Sequence, residues 1–346
     1  MASKMGTHQP MIYVLESKHI GSNIQLNAIA NALQSNPDLI NKLHCETRSR
    51  RSIFFNLYKI AAWALTRIEN PSLKRIIAWA CIGQHPEIEA GSFIIAKTAP
   101  FEYPALILSK AYSSCIIYMG APKRIDHKTI ATLISTPSTP AQHAHINLQT
   151  LPTSITFQQF TLSRRALTNQ KKLTLLIGGN TKGYQYSEEF WERLCQYILD
   201  SSIDLEIEWT ISTSPRTPET CTKILSKAFP KTNERIQLHL WHKDDERISL
   251  IDAISQCYIL VTTEDSASMI SEGVNARLPT VTIRPQGRGY NNLVTPMVEQ
   301  LEESGKIIRC ELNNLSIGQI IDWANSEKFR PLKKCWSEEL TRQLLN

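Results

Sequence analysis

The sequence contains no run of about 18 uninterrupted apolar residues, so no helix capable of spanning a bilayer is expected. It has no Cys-x-x-Cys pair and no Cys/His spacing of the zinc-site kind. Its eight cysteines, at 45, 81, 115, 195, 221, 257, 310 and 335, are scattered, several of them inside apolar runs. A reducing, cytoplasmic compartment and no structural metal are the expectation. The first ten residues, MASKMGTHQP, have one Lys and no apolar stretch, so no secretory signal is expected. Neither GxxxxGK[ST] nor GxGxxG occurs, which argues against a P-loop and against a nicotinamide cofactor. No DxD occurs either; Asp244-Asp245 in HKDDER reads as a solvated charge run at a helix start.

What is present is globular: 42% hydrophobic and 20% charged residues leave no large part that must be disordered. At 346 residues the chain exceeds one comfortable core, and two domains are expected. The positive charge sits on one side of that division. Residues 1–150 hold 15 Lys and Arg against 8 Asp and Glu, whereas the remainder holds 23 against 24. Lys42, Arg48, Arg50, Arg51, Lys59, Arg67, Lys74 and Arg75 face only Glu46 and Glu69 between positions 42 and 75. The excess belongs to a local surface.

Two stretches alternate strand and helix patterns. Met11–Glu16, Ser92–Ala96, Cys115–Met119 and Ile130–Ser135 read as strands of the first, with a helix through Ile24–Leu33. Thr136–Ser154, with Pro137, Pro140 and Pro152, reads as a linker. The pattern restarts after Lys172 with LTLLIGG. Strands at 205–211, 237–240, 259–263, 280–283 and 306–309 then alternate with helices at 188–199, 220–229, 247–256 and 317–324. The expected fold class is α/β: two Rossmann-like domains facing a cleft. Residues 1–150 form the first, 151–325 the second, and 326–346 a terminal helix crossing back to the first.

Ligands of such sheets sit outside the carboxyl ends of the strands. Three of these ends in the second half gather polar groups. ILVTTEDSASMISEG places Asp265, Ser266, Ser268 and Met269 at a helix start, whose unpaired N–H groups favour a phosphate. Glu272 comes next, at a position suited to a ribose diol. An ordinary βαβ unit with a capping serine gives the same local pattern. Gly178-Gly179-Asn180-Thr181-Lys182 succeeds the restarting strand; its glycines suit close backbone approach and Lys182 suits phosphate charge, as a plain βα turn also would. Ser214-Pro215-Arg216-Thr217-Pro218 holds an Arg between two prolines in an extended loop, either to grip an anion or as a solvated Arg before a capped helix. In the first half, Glu16 and His19 are the candidate general bases. Lys97 and Glu102 are candidates for the acceptor side.

The segment RSRRSIFFNLYKIAAWALTRI mixes aromatics with basic residues, and LKRIIAWACI repeats the combination. Arg50, Arg51, Phe54, Phe55, Lys59 and Trp63 suit a helix lying in an anionic membrane interface. Core helices with a basic outer face are the alternative. Nucleic acid is not expected, since no binding motif accompanies the charge.

The order LLIGGNTKGYQYSEE, TISTSPRTP, VTTEDSASMISEG over roughly residues 170–285 resembles the bacterial relatives of the plant elongated-mitochondria fission protein. The first half matches more faintly, through IYVLESKHIGSNIQLNAIANAL and FIIAKTAPFEYPAL. That family is similar in fold to GT-B glycosyltransferases, so the resemblance implies a nucleotide-sugar donor held by the second domain. It implies Ser266, Ser268 and Met269 at the donor phosphates and Glu272 at the ribose, with Gly178, Gly179, Lys182, Ser214 and Arg216 lining the cleft. The chain departs from the family pattern at Cys257-Tyr258 and His143-Ala144.

The function these readings lead to is metal-independent transfer of a sugar from a nucleotide-sugar donor to a lipid-linked or lipopolysaccharide-type acceptor, with the nucleotide-sugar as substrate and no cofactor. The protein would be peripheral on the inner face of the cytoplasmic membrane. The alternative is a non-catalytic, membrane-associated adaptor that keeps the fold.

Overall fold

A computed structural model of the chain describes residues 10–17, 20–44, 52–83, 85–97, 99–137, 139–155, 171–243, 245, 247–285, 287 and 290–345. The chain divides into two compact units, Met1–Leu148 with Ser337–Asn346, and Gln149–Trp336.

The first unit runs β1 (Ile12–Glu16), α1 (Ile20–Leu33), β2 (Ile40–His44), α2 (Ser52–Leu65), α3 (Pro71–Ile82), β3 (Phe93–Lys97), α4 (Glu102–Tyr112), β4 (Cys115–Met119), β5 (Thr132–Ser135) and β6 (Ile146–Asn147). Its six strands are all parallel, in the order β2-β1-β3-β4-β5-β6. The strand order reverses between β1 and β3, the position where ligands enter open parallel sheets. Val14 pairs with Ile95, so Glu16 and Lys97 end those two strands side by side. The central strands are buried on both faces, which explains their unbroken apolar composition. β2 escaped the sequence reading because INKLH is an edge strand with only Leu43 buried, and its polar residues hide the pattern.

The second unit runs β7 (Lys172–Leu176), α5 (Glu188–Asp204), β8 (Glu208–Ser212), α6 (Glu219–Ala228), β9 (Ile236–His239), α7 (Leu250–Ser255), β10 (Ile259–Thr263), α8 (Ala267–Asn275), β11 (Thr280–Arg284), α9 (Thr295–Glu303), β12 (Ile307–Glu311) and α10 (Ile317–Asn325). The strands are again all parallel, in the order β9-β8-β7-β10-β11-β12. Counted within the unit this is 3-2-1-4-5-6, the dinucleotide-fold order, with its reversal between β7 and β10. Leu173, Leu175, Val261 and Val281 fill one side of the sheet with Trp191, Ile198 and Ile270; Leu176 and Leu260 meet Ile254 and Leu278 on the other. Cys195 and Cys221 belong to this core, as small apolar residues. Gly273 lets α8 lie directly on β10 and β11, since a Cβ there would stand 2.5 Å from Leu260 and Thr280 side-chain atoms.

Two expectations are corrected here. Thr136–Ser154 is not a linker throughout: β6 pairs with β5, and Thr150, Leu151, Thr153 and Ile155 are buried within the second unit. Ile146, Leu148 and Leu151, which lie between Pro140 and Pro152, are buried. The terminal helix, α11 (Trp336–Leu345), begins ten residues later than the expected start at 326, and from Ser337 onward it belongs to the first unit.

The second unit is tied internally by a buried carboxylate. Glu264, at the end of β10, is bidentate with Arg309 of β12 at 2.7 and 2.9 Å. It also accepts hydrogen bonds from Tyr184 Oη (3.1 Å) and Thr282 Oγ1 (3.0 Å). Removing the guanidinium leaves a charge without a counter-ion in the interior. Arg309→Leu is expected to lower unfolding stability by about 3–5 kcal/mol, measured in urea, and a second change, Glu264→Gln, to return much of it. An Arg309→Leu protein as stable as wild type would contradict this role for the pair.

Candidate functional site

The candidate site lies where the strand order of the second unit reverses, at the carboxyl ends of β7 and β10. Each of the two loops there is held by the other. The Gly178 amide donates to Thr263 Oγ1 (2.8 Å) and the Gly179 amide to Asp265 Oδ2 (3.0 Å). From the neighbouring loop after β8, Ser214 Oγ and Thr217 Oγ1 each donate to the Gly178 carbonyl at 2.8 Å. The glycines are needed for this internal fit. A Cβ on Gly178 would stand 2.3 Å from Asp265 Oδ2, and one on Gly179 would stand 2.1 Å from the Arg216 carbonyl oxygen.

This corrects part of the sequence reading. The close approach at Gly178 and Gly179 is made by Asp265 and by the Arg216 backbone, and their amides are committed within the chain. Ser214 is buried and acts as a clamp on the β7 loop. The loop carrying Arg216 is also not extended: the Thr217 amide bonds the Ser214 carbonyl at 3.1 Å, closing a turn with Pro215 in its second position, where proline's fixed φ is favoured. The turn aims Arg216 Nη2 at Asp265 Oδ2, 3.0 Å away. Asp265 is buried and Arg216 half exposed, so the guanidinium spans from the interior to the surface. Burial pushes the Asp265 carboxyl up, opposed by Thr263, Arg216 and the Gly179 amide. Its Oδ1 has no hydrogen-bond partner among the described residues.

The start of α8 stands beside this floor. Ser266 makes no side-chain capping bond, and the first turn holds no acidic residue. The first turn thus carries no carboxylate of its own, and Asp265, just before the cap, is turned to the Gly179 amide and Arg216. Ser266 and Ser268 place their hydroxyls 3.3 Å apart at this end, with Ser268 and Met269 less enclosed than the helix residues after them. The site offers hydroxyls, a helix N-terminus and one half-exposed cation, which is chemistry suited to a diphosphate.

Glu272 lies one turn further along α8. It is 3% exposed, and its carboxyl is hydrogen-bonded to the Thr153 side chain and the Ile155 backbone. Burial pushes its pKa up to about 8, and Oε2 has no partner among the described residues. The same helix holds the incoming chain at two further points. Ser271 Oγ accepts from the Leu151 amide (3.1 Å), and Asn275 binds Thr150, Leu151 and Thr153. Thr153, Thr217 and Thr263 were not singled out in the sequence; a threonine beside a strand end is the signal that was available.

Lys182 is not drawn into this group. It is exposed on the Thr181–Tyr184 turn, and its carbonyl accepts from Asn291 Nδ2 at 2.9 Å.

In the first unit, Glu16 and Lys97 end the two strands at that sheet's own reversal. Glu16 accepts from Asn27 Nδ2 (2.9 Å) and lies 3.7 Å from Lys42 Nζ and 3.5 Å from His44 Nδ1. Lys97 donates to Gln25 Oε1, and burial lowers its pKa to about 8. Glu102 does not fit an acceptor-side role. It has no solvent exposure, and its carboxylate receives the Lys123 and Arg124 amides (3.0 and 2.6 Å) and Tyr118 Oη (3.2 Å), anchoring the loop after β4. His19, Arg50 and Arg51 lie outside the described residues, as do the side chains of Phe54 and Phe55. Lys59 and Trp63 are exposed on α2. No helix among the described residues is long and apolar enough to cross a membrane.

Among solved structures, UDP-GlcNAc 2-epimerase from Methanocaldococcus jannaschii is similar over 97% of this chain and 99% of its own, at 11% identity and a TM-score of 0.50. MurG of Acinetobacter baumannii is 12% identical over 97% and 93%, with a TM-score of 0.49. The ADP-heptose LPS heptosyltransferase II of E. coli is 10% identical over 96% and 99%, with a TM-score of 0.45. Comparison with curated proteins gives no match. The strand orders and the likeness to the epimerase show the fold, a pair of Rossmann-like units of the GT-B kind. The family model described as mitochondrial fission ELM1 matches residues 21–338, and the chain belongs to that family.

Proposed function

We propose that the chain is a GT-B-type glycosyltransferase that takes a sugar from a nucleotide-sugar and passes it to a lipid-linked or lipopolysaccharide-type acceptor at the cytoplasmic face of a membrane. The observation that carries this reading is the uncapped, acid-free start of α8 beside the Arg216–Asp265 pair, at the strand reversal of the second unit. The donor diphosphate binds the first-turn amides with Ser266 and Ser268. Arg216 transfers from Asp265 to the phosphates and helps to carry the charge of the leaving diphosphate. With the helix dipole and Arg216 supplying that charge, the reaction is proposed to run without a metal. Glu272 receives the ribose diol on its free Oε2. On the first unit, Glu16 and His19 are the candidate bases for the acceptor hydroxyl, and Lys97 the contact for an anionic acceptor. The epimerase is described by a nucleotide-sugar, UDP-GlcNAc, which is compatible with such a donor here.

A second reading is compatible with the family: a non-catalytic membrane adaptor that retains the fold. Calorimetry with UDP, GDP, ADP, TDP and CMP separates the two. One nucleotide is expected to bind, with Arg216→Ala weakening it by about tenfold or more, the equivalent of one charge-assisted hydrogen bond, and Glu272→Ala, which removes a neutral hydrogen bond, by about fivefold. If no nucleotide binds at millimolar concentration, the transferase reading falls and the adaptor reading stands.

The buried Glu272 carboxyl gives a pH signature. Its pKa is about 8 when folded and near 4.5 when unfolded, so between these values the folded chain keeps a proton that the unfolded chain releases. Stability therefore falls as pH rises through this window and is level on either side. Compared with Glu272→Gln, wild type is expected to lose about 1 kcal/mol per pH unit from roughly pH 5 to 8. Parallel urea titrations at several pH values test this, and a constant difference between the two proteins would contradict it.

A further inference from the structure

α2 and α3 both pack on α4 and on each other, so their outward sides form part of one surface. Each helix is apolar on both sides. Tyr58, Ala61, Ala62 and Leu65 of α2 and Ala78 of α3 are buried in the core of the first unit. On the opposite sides, Leu57, Ile60 and Trp63 project from α2, and Leu73, Ile76 and Trp79 from α3. Both triplets keep a spacing of three, which places side chains on one side of a helix. These six residues are between 45 and 62% exposed, and they are half of the large exposed hydrophobic residues described in the whole chain. Isolated exposed apolar side chains need no account, but a cluster of this size on two adjacent helices does.

The surrounding charge selects the partner. Across Ser52–Ile82 the basic residues are Lys59, Arg67, Lys74 and Arg75, and the one acidic residue is Glu69. Arg75 is held by Glu87 at 2.7 Å and lies over the Tyr112 ring. Arg67 lies over the exposed Trp63, its guanidinium 4.0 Å from the ring centroid. Lys59 and Lys74 complete the flank. Tryptophans beside long basic side chains match the headgroup boundary of a bilayer, where the ring is half in hydrocarbon and the cation reaches the phosphates. The helices, of 14 and 12 residues, are too short to span, so they would lie in the plane of the interface.

We propose that the α2–α3 surface is the element that seats this protein on an anionic lipid bilayer, with Ile60, Trp63, Ile76 and Trp79 entering the interface and Lys59, Arg67 and Lys74 contacting lipid phosphates. This rests on the membrane-face part of the proposed function and assigns it to particular residues, none of which belongs to the candidate donor site.

Co-sedimentation of the full chain with phosphatidylglycerol-containing vesicles, and with pure phosphatidylcholine vesicles, tests the assignment. Wild type is expected to bind the anionic vesicles and to be released by salt. Trp63→Ser/Trp79→Ser, at exposed positions, is expected to lower that binding by about tenfold or more while circular dichroism stays unchanged. Lys59→Gln/Lys74→Gln is expected to reduce the preference for anionic lipid. Undiminished vesicle binding by the tryptophan variant overturns the proposal. So does absence of wild-type binding, including the case in which the wild type is a dimer that the tryptophan variant dissolves. Nucleotide calorimetry on the same samples reports on the donor site separately: a membrane-binding chain without nucleotide affinity refutes the transferase and leaves the docking surface intact.

Discussion

A carboxylate with almost no access to water sits at the centre of the second unit, and much of the candidate site depends on how its charge is met. Glu264 comes directly after β10, just before the chain turns into α8, and it draws a guanidinium from β12, a hydroxyl from β11 and a phenol from the turn after β7. Such an arrangement fixes the end of β10 relative to both sides of the sheet. Asp265, the next residue, inherits that position. It can then receive the Gly179 amide and the Arg216 guanidinium without any freedom of its own. The site is preorganised because its neighbour is locked, and Arg216, whose side chain reaches the surface, is the charged part with room to move.

This division between a committed floor and an exposed cation changes how the motif residues should be understood. Gly178, Gly179, Ser214 and Thr217 build the floor by satisfying one another. Ser268 and the Arg216 side chain are the parts of this group that reach the surface.

Strand and helix periodicity made the fold legible in the second unit, because central parallel strands such as ILVTT are buried on both faces and read as unbroken apolar runs. The strand ends carrying Asp265 and Arg216 were legible for the same reason: in a parallel sheet, the residues just past an apolar run stand at its carboxyl edge. The partners of these residues were not legible. Nothing in the spacing connects Glu264 with Arg309, or Glu272 with Thr153, since sequence separation says little about which side chains share a buried space. Edge strand β2 was lost to its polar residues, and Glu102 looked available because a carboxylate near a strand end gives no sign, in sequence, of the backbone amides it caps. The basic, aromatic stretch was legible as a composition, but which of its apolar residues face outward depended on where α4 lies.

The segment Thr150–Ile155 sets a boundary that composition does not. Its threonine hydroxyls and the backbone at Leu151 and Ile155 are bonded by Ser271, Glu272 and Asn275 of α8. Cutting the chain at the more proline-rich, loop-like positions would thus strip the second unit of the strap that closes one side of α8. Water would enter around Glu272, and its carboxyl would ionise as an ordinary acid. The second compact unit begins at Gln149, one residue before the first of these hydrogen bonds, so the strap belongs to that unit and a dissection of the protein has to keep it.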